Sequence, residues 1–458
     1  MNTTSHRQPP QRCNILLVGG GGREHALAWK LSQSQRLGKL WLTDDRNAGL
    51  QKLGQTCPVK LDLRAPFHIK NWLAREAIDL IVVGPEGPLA EGVADVLGSE
   101  KCLVFGPGRE GAMLEADKAW AKAFMRGVAI PTADSRSFNS RDAAVEYARS
   151  REHGMVVKAA GLAAGKGVIV CSNPAETVDA IEHIMTDGAF GKAGETIVIE
   201  EKLSGQEVSV MALTDGRSLW MLDPCQDHKQ LGEGDTGPNT GGMGAYSPTP
   251  VADEQMLANV EREVFVAALD GLKRQGIDYR GVLYAGLMLT HAGPRVLEFN
   301  CRFGDPECQV LMVRLQSDLI ELLWATCTRG LSDVDVVFDE RVACTVVMCS
   351  EGYPGTYETG KVITGIDEAA AMDDVVVFHS GTAMDEAGNV ITHGGRVLSV
   401  TALGADLQSA RDLANRACEL IHFEGAVFRR DIGNRVLLQG GPEANDQTTA
   451  SLHDVATL

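Results

Sequence analysis

The sequence lacks any apolar run long enough to cross a membrane as a helix. Such a span needs about 20 consecutive apolar residues, and no stretch of the 458 residues approaches that length. Residues 1–12 are polar, include Pro9 and Pro10, and contain no apolar segment of the kind that secretory signals carry. We therefore expect residues 1–12 to form a flexible lead-in, and we expect no membrane partner.

Positive charge is also scarce relative to negative charge. The chain has 43 lysines and arginines against 61 aspartates and glutamates, a net charge of −18. Such a surface repels phosphate backbones, so nucleic acid is not an expected partner, although a local basic pocket for a small phosphate is still compatible. A hydrophobic fraction of 44% with 23% charged residues is typical of a globular protein. The length predicts two to four domains.

Paired cysteine motifs, internal repeats and low-complexity tracts are absent as well. The eleven cysteines are scattered, form no Cys-x-x-Cys pair, and include Cys344 and Cys349 in apolar, strand-like runs. Buried reduced thiols are a better interpretation than disulfides or zinc ligands, and they indicate a cytoplasmic location.

The first motif begins with an apolar strand over Cys13–Gly19; Gly19 is the first of four consecutive glycines, and a helix follows them. A strand, a glycine turn and a helix N-terminus can cradle a phosphate, because backbone N–H groups point at the anion. Dinucleotide binding and an ordinary tight turn are the alternatives. Strands and helices alternate up to Glu115, which predicts a parallel α/β sheet over residues 13–115.

The next block places lysines around a loop of small residues. Lys118 and Lys122 lie at helical spacing, for which two solvated lysines are the alternative interpretation. The strand that ends at Lys158 enters Gly161–Gly167, and a second strand follows at once. This loop is not a P-loop, because Gly167 replaces the Ser or Thr and no helix follows. A glycine flap between antiparallel strands can cover a triphosphate while lysines neutralise its charge; a hairpin with a mobile tip is the alternative.

Two further stretches are candidate ligand-binding segments. The strand 196–201 ends in an exposed turn whose backbone would suit a planar ring, with Glu207 near ribose hydroxyls, although an ordinary strand and turn would look the same. Residues 227–246 form a turn-rich stretch with six glycines, Pro238, Asn239 and an Asp-His-Lys triplet. Flexible linkers usually have a simpler, Ser-rich composition, whereas long ordered loops in compact enzymes usually bind a ligand. We therefore favour a substrate loop.

A short strand with two oxygen ligands on one face is the candidate metal site. In VLEFNCRFGDPE, residues 296–307, alternation puts Glu298 and Asn300 on one strand face, with Arg302 near it. This pattern suits Mg²⁺, which takes few protein ligands and uses substrate phosphates. An edge strand with a solvated acid and amide is the alternative. From Arg341 onward the sequence predicts a separate α+β block, and residues 439–458 resemble a disordered tail.

Together these motifs resemble the glycinamide ribonucleotide synthetases, also called phosphoribosylamine–glycine ligases, of the ATP-grasp superfamily. The resemblance runs from Asn14 to about Leu438. Five motifs carry it in order: GGGGREHA at Gly19, GLAAGKGV at Gly161, DHKQLGEGDTGPNTGGMGAYSP at Asp227, LEFNCRFGDPE at Leu297 and FRRDIG at Phe428.

The resemblance implies a multidomain fold that combines α/β and α+β parts. It consists of an N-terminal parallel α/β domain (13–115), an ATP-grasp region (116–335, with a lid at about 130–202) and a small C-terminal α+β domain (336–438). The implied reaction joins glycine to 5-phosphoribosylamine through glycyl phosphate, with ATP going to ADP and phosphate, in purine biosynthesis. It implies Mg²⁺ or Mn²⁺ as cofactor, small molecules as partners, and a monomer or weak homodimer. Fewer than twenty residues follow Gly440, so we expect a monofunctional chain.

The resemblance also implies roles for individual residues. Glu298 and Asn300 would hold the metal, and Arg302, Asp305 and Asp227 would lie near glycine and the acyl phosphate. The residues expected to bind ATP are Lys118, Lys158, Gly161, Leu162, Ala163, Ala164, Gly165, Lys166, Gly167, Glu200, Glu201, Leu203 and Glu207. Those expected to bind the other substrates are Gly20, Gly21, Gly22, Arg23, Glu24, Lys229, Pro238, Asn239, Thr240, Gly241 and Gly242.

Some positions depart from the family pattern. Ala160 stands where the family commonly has Asp, Gln230 where it has Arg or Lys, and Cys301 where it often has Ala. In addition, the strand 281–290 carries no carboxylate that could bind a second metal ion. Three other hypotheses remain. Another ATP-grasp ligase or carboxylase component is disfavoured by the GPNTGGMG loop. A nicotinamide-dependent dehydrogenase rests only on Gly19–Gly22, and a nucleotide sensor would not need intact metal ligands.

Overall fold

A five-stranded parallel sheet forms the N-terminal part of the computed structural model, which describes residues 8–163 and 166–439. The strand order is β3-β2-β1-β4-β5. The central strands β1 and β4 are buried and apolar except at Asn14, as expected where helices cover both faces of a parallel sheet. The elements are β1 (Cys13–Val18), α1 (Gly22–Leu31), β2 (Leu37–Leu42), β3 (Gln55–Thr56), α2 (Phe67–Arg75), β4 (Leu80–Val83), α3 (Glu86–Ala90), α4 (Val93–Leu97), β5 (Leu103–Phe105) and α5 (Arg109–Ala116).

A small four-stranded sheet follows, with two helices packed on it. Its order is β6-β9-β7-β8, and its pairs are antiparallel. The loop of small residues joins β7 to β8, so the predicted pair of antiparallel strands is present. The elements are α6 (Lys118–Gly127), β6 (Ser135–Phe138), α7 (Arg141–Arg149), β7 (Met155–Ala159), β8 (Val168–Val170), α8 (Pro174–Met185) and β9 (Ile197–Glu201).

The third sheet has the antiparallel order β11-β10-β16-β17 and carries the Glu-x-Asn strand at its edge. Along its central strands, every second side chain packs on one large apolar core. The elements are β10 (Gln206–Thr214), β11 (Leu219–Met221), β12 (Gln226–Asp227), β13 (Gln230–Gly232), β14 (Thr236–Asn239), β15 (Gly244–Ser247), α9 (Glu254–Val260), α10 (Ala267–Arg274), β16 (Gly281–Thr290), β17 (Gly293–Asn300), α11 (Glu307–Arg314) and α12 (Leu319–Thr328). A π-helical stretch, Glu261–Val266, joins α9 to α10.

The C-terminal sheet has the order β12-β15-β18-β22-β19, and β23 also pairs with β18. The stretch predicted as an irregular loop therefore supplies two of its strands, β12 and β15, and β13 pairs with β14 in a separate hairpin. The block after Arg341 is thus less separate than the sequence predicted. The elements are β18 (Val342–Ser350), α13 (Ile366–Ala370), β19 (Val375–His379), β20 (Thr382–Met384), β21 (Val390–Thr392), β22 (Arg396–Gly404), α14 (Leu407–Leu420), β23 (Ala426–Val427) and α15 (Asn434–Gln439).

These sheets confirm the predicted multidomain combination of α/β and α+β parts. All eleven cysteines are free and buried, as expected for reduced thiols. In the part of the chain that the structure describes, no helix is both long and apolar enough to span a bilayer.

Candidate ATP-binding and ligation site

A cleft between the small sheet and the third sheet brings together many of the predicted residues. Its walls come from α5, α6, β7, β8 and β17. The predicted residues that line it are Lys118, Lys158, Leu162, Ala163, Gly167, Glu298, Asn300 and Arg302, and three charged residues that we did not predict to bind ligand, Glu86, Glu115 and Lys122, join them. Ala164 and Gly165 lie outside the described residues.

Glu298 is the acidic centre of this cleft. Burial would raise its pKa, but Lys158, Lys118, Lys229 and Arg302 together hold the pKa below its usual value. Within the described residues, no hydrogen bond or ion pair to the Glu298 carboxylate is found. An ionised carboxylate that faces several cations without a fixed partner is suited to a ligand that carries its own cation.

Arg302 is fixed beside Asn300 by two carboxylates. Its Nη2 lies 2.8 Å from Glu115 Oε1 and donates to Asn300 Oδ1 at 3.2 Å, while Nε lies 3.5 Å from Glu86 Oε2. Burial alone would lower the pKa of Arg302, but Glu115 and Glu86 raise it above its usual value. Glu86 directly follows β4 in a Gly-Pro-Glu turn, and the carboxyl end of a parallel strand is a signal that could have identified it. No comparable signal marks Glu115.

A buried triad of charges links the small sheet to α6. Lys122 Nζ lies 2.5 Å from Glu200 Oε2 and donates to Thr132 Oγ1 at 2.7 Å, and Lys158 is ion-paired with Glu200 Oε1. Burial lowers the pKa of Lys122 to about 8, although Glu200 opposes the shift. The solvated interpretation of Lys122 is therefore wrong, because its side chain is only 3% exposed.

The predicted adenine contacts are only partly in place. The Glu200 side chain is turned toward the two lysines, and its backbone lies inside the sheet, in register with Ser135 of β6 and Val156 of β7. Glu201 is exposed and accepts from the Asp134 N–H at 2.9 Å. Leu203 is half-buried, and neither it nor Glu201 lines the cleft. Glu207 forms an ion pair of 2.7 Å with Lys229.

The predicted phosphate cradle at the start of α1 is already filled by the protein itself. The Gly21 N–H donates to Glu24 Oε2 at 2.6 Å, and Arg23 Nε lies 2.7 Å from Glu24 Oε1. Arg23 also donates to the Phe303 carbonyl at 3.1 Å, which ties this helix to the Glu-x-Asn motif. The expectation that Gly20–Glu24 offers free backbone N–H groups is therefore wrong for Gly21. A polar substrate here would meet the buried carboxylate of Glu24 instead.

The substrate loop, residues 227–246, contacts the segment that follows the Glu-x-Asn strand, and Arg396 of the C-terminal sheet joins the two. Arg396 donates to the carbonyls of Gly241 and Asp305, both at 2.7 Å, and its Nη2 lies 3.2 Å from Asp305 Oδ2. Gly242 has φ +115°, and a Cβ there would lie 2.5 Å from Pro306 Cδ, so only glycine permits this close approach. Burial would raise the pKa of Asp305, but Arg396 and Arg23 lower it below its usual value.

The other loop residues divide into a buried and an exposed set. Burial, Glu307 and Glu207 raise the pKa of Asp227 to about 7, against the opposing effect of Lys229. Thr240 is buried and donates to the Lys229 carbonyl at 2.7 Å, whereas Pro238 and Asn239 are exposed on β14. Lys166 of the flap donates to the Pro354 carbonyl at 3.1 Å, so the flap contacts the C-terminal part of the chain.

Three family models match consecutive parts of the chain. They describe the N domain (residues 13–115), the ATP-grasp (A) domain (116–308) and the C domain (343–435) of phosphoribosylglycinamide synthetase. The phosphoribosylamine–glycine ligase of Rhodopirellula baltica is 46% identical over 93% of this chain and 98% of its own length. The ligase of Nostoc sp. is 48% identical over 92% of this chain and 99% of its own length.

Longer relatives and solved structures are also similar. The trifunctional purine biosynthetic proteins adenosine-3 of Chironomus tentans and Gallus gallus are both 47% identical over 92% of this chain, which spans 31% and 42% of their lengths. The crystal structure of phosphoribosylamine–glycine ligase from Thermotoga maritima has a TM-score of 0.77 at 32% identity, covering 92% of this chain and 100% of that one. A biotin carboxylase domain from Hydrogenobacter thermophilus has a TM-score of 0.69 at 15% identity, covers 92% of each chain and shows likeness of fold alone.

The fold and the match to an ATP-grasp domain model define a protein of the ATP-grasp class. Within that class, the chain belongs to the phosphoribosylglycinamide synthetase family, whose three domain models it matches in order. The resemblance inferred from the five motifs is confirmed. Family membership also removes the dehydrogenase hypothesis, which depended on a single glycine turn.

Proposed function

We propose that this chain joins glycine to 5-phosphoribosylamine in purine biosynthesis, with ATP converted to ADP and phosphate. One observation carries the proposal: Glu298 of the cleft is ionised, has no hydrogen-bond or ion-pair partner among the described residues, and lies within the influence of Lys118, Lys158, Arg302 and Lys229, the last of which belongs to the substrate loop. Cations around a carboxylate suit a triphosphate and its metal, and the adjoining loop suits the two smaller substrates.

The reaction balances in two steps. One carboxylate oxygen of glycine attacks the γ-phosphorus, the bond from that phosphorus to the β,γ-bridging oxygen breaks, and ADP leaves. The amine of phosphoribosylamine then attacks the acyl carbon, the bond to the phosphate oxygen breaks, and phosphate leaves while the amine loses a proton. Such chemistry depends mainly on positioning and charge neutralisation.

The charged residues of the cleft fit the first step. Lys118 and Lys158 would bind phosphate oxygens, with Lys158 oriented by its ion pair to Glu200. Arg302, held by Glu115, would face the transferred phosphoryl group beside Asn300. Because Lys158 and Arg302 are anchored before ATP arrives, these two cations need little reorganisation when charge develops on the phosphoryl oxygens.

The donor set of the cleft also fits a divalent cation. Glu298 has no fixed partner among the described residues, and Asn300 Oδ1 accepts only one hydrogen bond there, at 3.2 Å from Arg302. The described residues contain no cluster of three or more His, Cys, Asp or Glu able to hold a metal alone, which suits an ion that is shared with substrate phosphates. Glu298 and Asn300 would hold Mg²⁺ or Mn²⁺, which would neutralise and orient phosphate oxygens.

The second step would take place beside the substrate loop, where Arg396 contacts Gly241 and Asp305. Asp305, Arg396 and Glu24 provide a carboxylate, a guanidinium and a second buried carboxylate near Gly21 and Gly241. Asp227, with a pKa of about 7, is the group best suited to accept a proton from the attacking amine. We further propose a cytoplasmic enzyme that acts as a monomer or weak homodimer on small molecules.

ADP release tests this assignment directly. The purified chain is incubated with ATP, Mg²⁺, glycine and phosphoribosylamine generated in place from ribose 5-phosphate and ammonia, and each component is omitted in turn. We expect turnover to require both glycine and the amine and to be lost in Glu298→Ala. ADP release that ignores glycine would reject the proposed substrates.

A further inference from the structure

The FRRDIG motif of the C-terminal part, Phe428–Gly433, has no contact with the cleft, yet it contains the most buried arginine of the described chain. The Arg429 side chain is 1% exposed. Burying a guanidinium is costly unless its donors are satisfied, so its partners indicate what it stabilises.

Nearly every partner of Arg429 lies on the hairpin formed by β13 and β14 or holds that hairpin. Its Nη1 donates to the Gln230 carbonyl at 2.9 Å and to Asp235 Oδ1 at 3.1 Å. Its Nε and Nη2 donate to the two oxygens of Asp431 at 2.8 and 2.9 Å. Asp431 Oδ2 in turn accepts from the Gly234 N–H at 2.8 Å. One guanidinium therefore fixes both the first strand and the tip of the hairpin.

Residues close to Arg429 in the chain add two more links to the hairpin and one to His228, which lies just before it. The Arg430 N–H donates to Glu233 Oε1 at 3.1 Å, and Arg435 Nε lies 2.6 Å from Asp235 Oδ2. The Gly433 N–H donates to His228 Nε2 at 2.9 Å, which puts the proton of a neutral His228 on Nδ1, the nitrogen 3.4 Å from Asp235 Oδ1. The contacts form one network around Asp235.

The hairpin needs such an anchor because it is weak by itself. It has strands of three and four residues, its second strand is exposed throughout, and its register shifts between Gln230 and Gly232. Two-stranded hairpins are marginal in water, and glycine-rich chain has much entropy to lose. The residues that follow directly, Thr240–Gly242, are those that approach Arg396 and Pro306.

We propose that Arg429 is a positioning residue: its buried guanidinium anchors the 230–239 hairpin and so holds Thr240–Gly242 in place for the two smaller substrates. The inference rests on the proposed function. Without the anchor the loop would sample other conformations, and the apparent affinity for a substrate that needs the ordered loop falls by the fraction of ordered loop. ATP binding changes little, because Lys118 and Lys158 of the cleft lie on α6 and β7, outside the hairpin and the loop that it holds.

Arg429→Gln is the test variant, and Arg430→Gln is its matched control. Arg430 is the adjacent arginine, but its side chain is 58% exposed, it lies over the Phe428 ring and its contact with Glu419 is 3.7 Å. We expect Arg429→Gln to raise KM for glycine or phosphoribosylamine at least tenfold and to change KM for ATP less than twofold. Arg429→Lys should restore part of the loss, and Arg430→Gln should behave as the wild type.

Hydrogen exchange provides a readout that needs no substrate. In Arg429→Gln we expect amides of the 230–239 hairpin to exchange at least tenfold faster, with amides of β18 unchanged. Asp235→Asn is the second variant, since it weakens the same contact from the hairpin side and leaves Arg429 paired with Asp431.

The two readouts separate the possible failures. Unchanged hairpin exchange, faster exchange throughout the C-terminal sheet, or an equal rise of KM for ATP would each overturn the positioning role. If the wild type releases no ADP with glycine and the amine, the proposed function fails, and the exchange comparison still decides whether Arg429 anchors the hairpin.

Discussion

Replacing Lys122 with methionine should damage both the stability of the ATP-grasp region and its affinity for ATP. The Lys122 ammonium is buried between Glu200 and Thr132, and Met keeps the length of the side chain while removing the charge. Glu200 would then be ion-paired with Lys158 alone. Lys158 faces Glu298 in the cleft, so a shift of Glu200 moves a residue proposed to bind phosphate.

The size of the effect follows from the burial of the triad. Removing one partner of a buried ion pair costs about 3–5 kcal/mol, and the lower end applies because Glu200 retains Lys158. For a unit of roughly 200 residues, a loss of about 3 kcal/mol corresponds to a fall in Tm of about 6–12 °C. We expect KM for ATP to rise on the order of tenfold, equivalent to about 1.4 kcal/mol.

The pH dependence of this difference has a definite sign. The pKa of Lys122 falls from 10.5 to about 8 on folding, so above pH 8 the unfolded chain binds more protons than the folded chain. The contribution of Lys122 to stability therefore increases with pH in that window, and the gap between wild type and Lys122→Met should widen by about 1 kcal/mol from pH 7.5 to pH 9.

Thermal unfolding and ATP titration of Lys122→Met and Lys118→Met check this reasoning. Lys118 lies one turn earlier on α6 and lines the same cleft, but its ammonium makes no ion pair within the described residues. Lys118→Met should weaken ATP binding with little change in Tm. Equal stability of the two variants, or a gap that narrows with rising pH, would refute the proposed role of the triad.

Two further substitutions have distinct expected outcomes. Glu298→Gln keeps the shape of the side chain but removes the negative charge that faces four cations, so steady-state ADP release at saturating Mg²⁺ should fall by about 100-fold or more while the circular dichroism spectrum is retained; near-normal turnover would contradict the proposed metal site. Asp227→Asn removes a carboxylate whose pKa is raised from 3.8 to about 7 in the folded chain, so the folded wild type binds more protons than the unfolded chain in that window and loses stability as pH rises. The Tm of Asp227→Asn relative to wild type should therefore increase from pH 4 to pH 7, and a constant difference would show that Asp227 is not perturbed.

The parts of the site that sequence could predict are those set by local geometry. Glu298 and Asn300 share a face of β17 because alternation along a strand depends only on spacing. The loop between β7 and β8 could also be predicted, because a run of small residues lies between two strand-like segments. The parallel sheet of the first domain followed from alternating strands and helices.

The remainder depends on contacts between distant parts of the chain. Glu200 meets Lys122 and Lys158 only because β9 pairs with β7 and α6 packs against it, which no local pattern specifies. Residues 227–246 have the composition of a loop, yet β12 and β15 form because β18 offers an edge for pairing. The glycine turn before α1 was predicted as an open cradle, but Glu24 occupies it from within the helix.

We propose that this chain activates glycine as an acyl phosphate, and the transfer of ¹⁸O from glycine to phosphate distinguishes this route from others. Glycine labelled in both carboxylate oxygens is turned over with ATP, Mg²⁺ and phosphoribosylamine, and the inorganic phosphate and the amide product are analysed by mass spectrometry. If the carboxylate attacks the γ-phosphorus, each phosphate gains one labelled oxygen and each amide retains one. Unlabelled phosphate formed together with the amide would contradict the glycyl phosphate route.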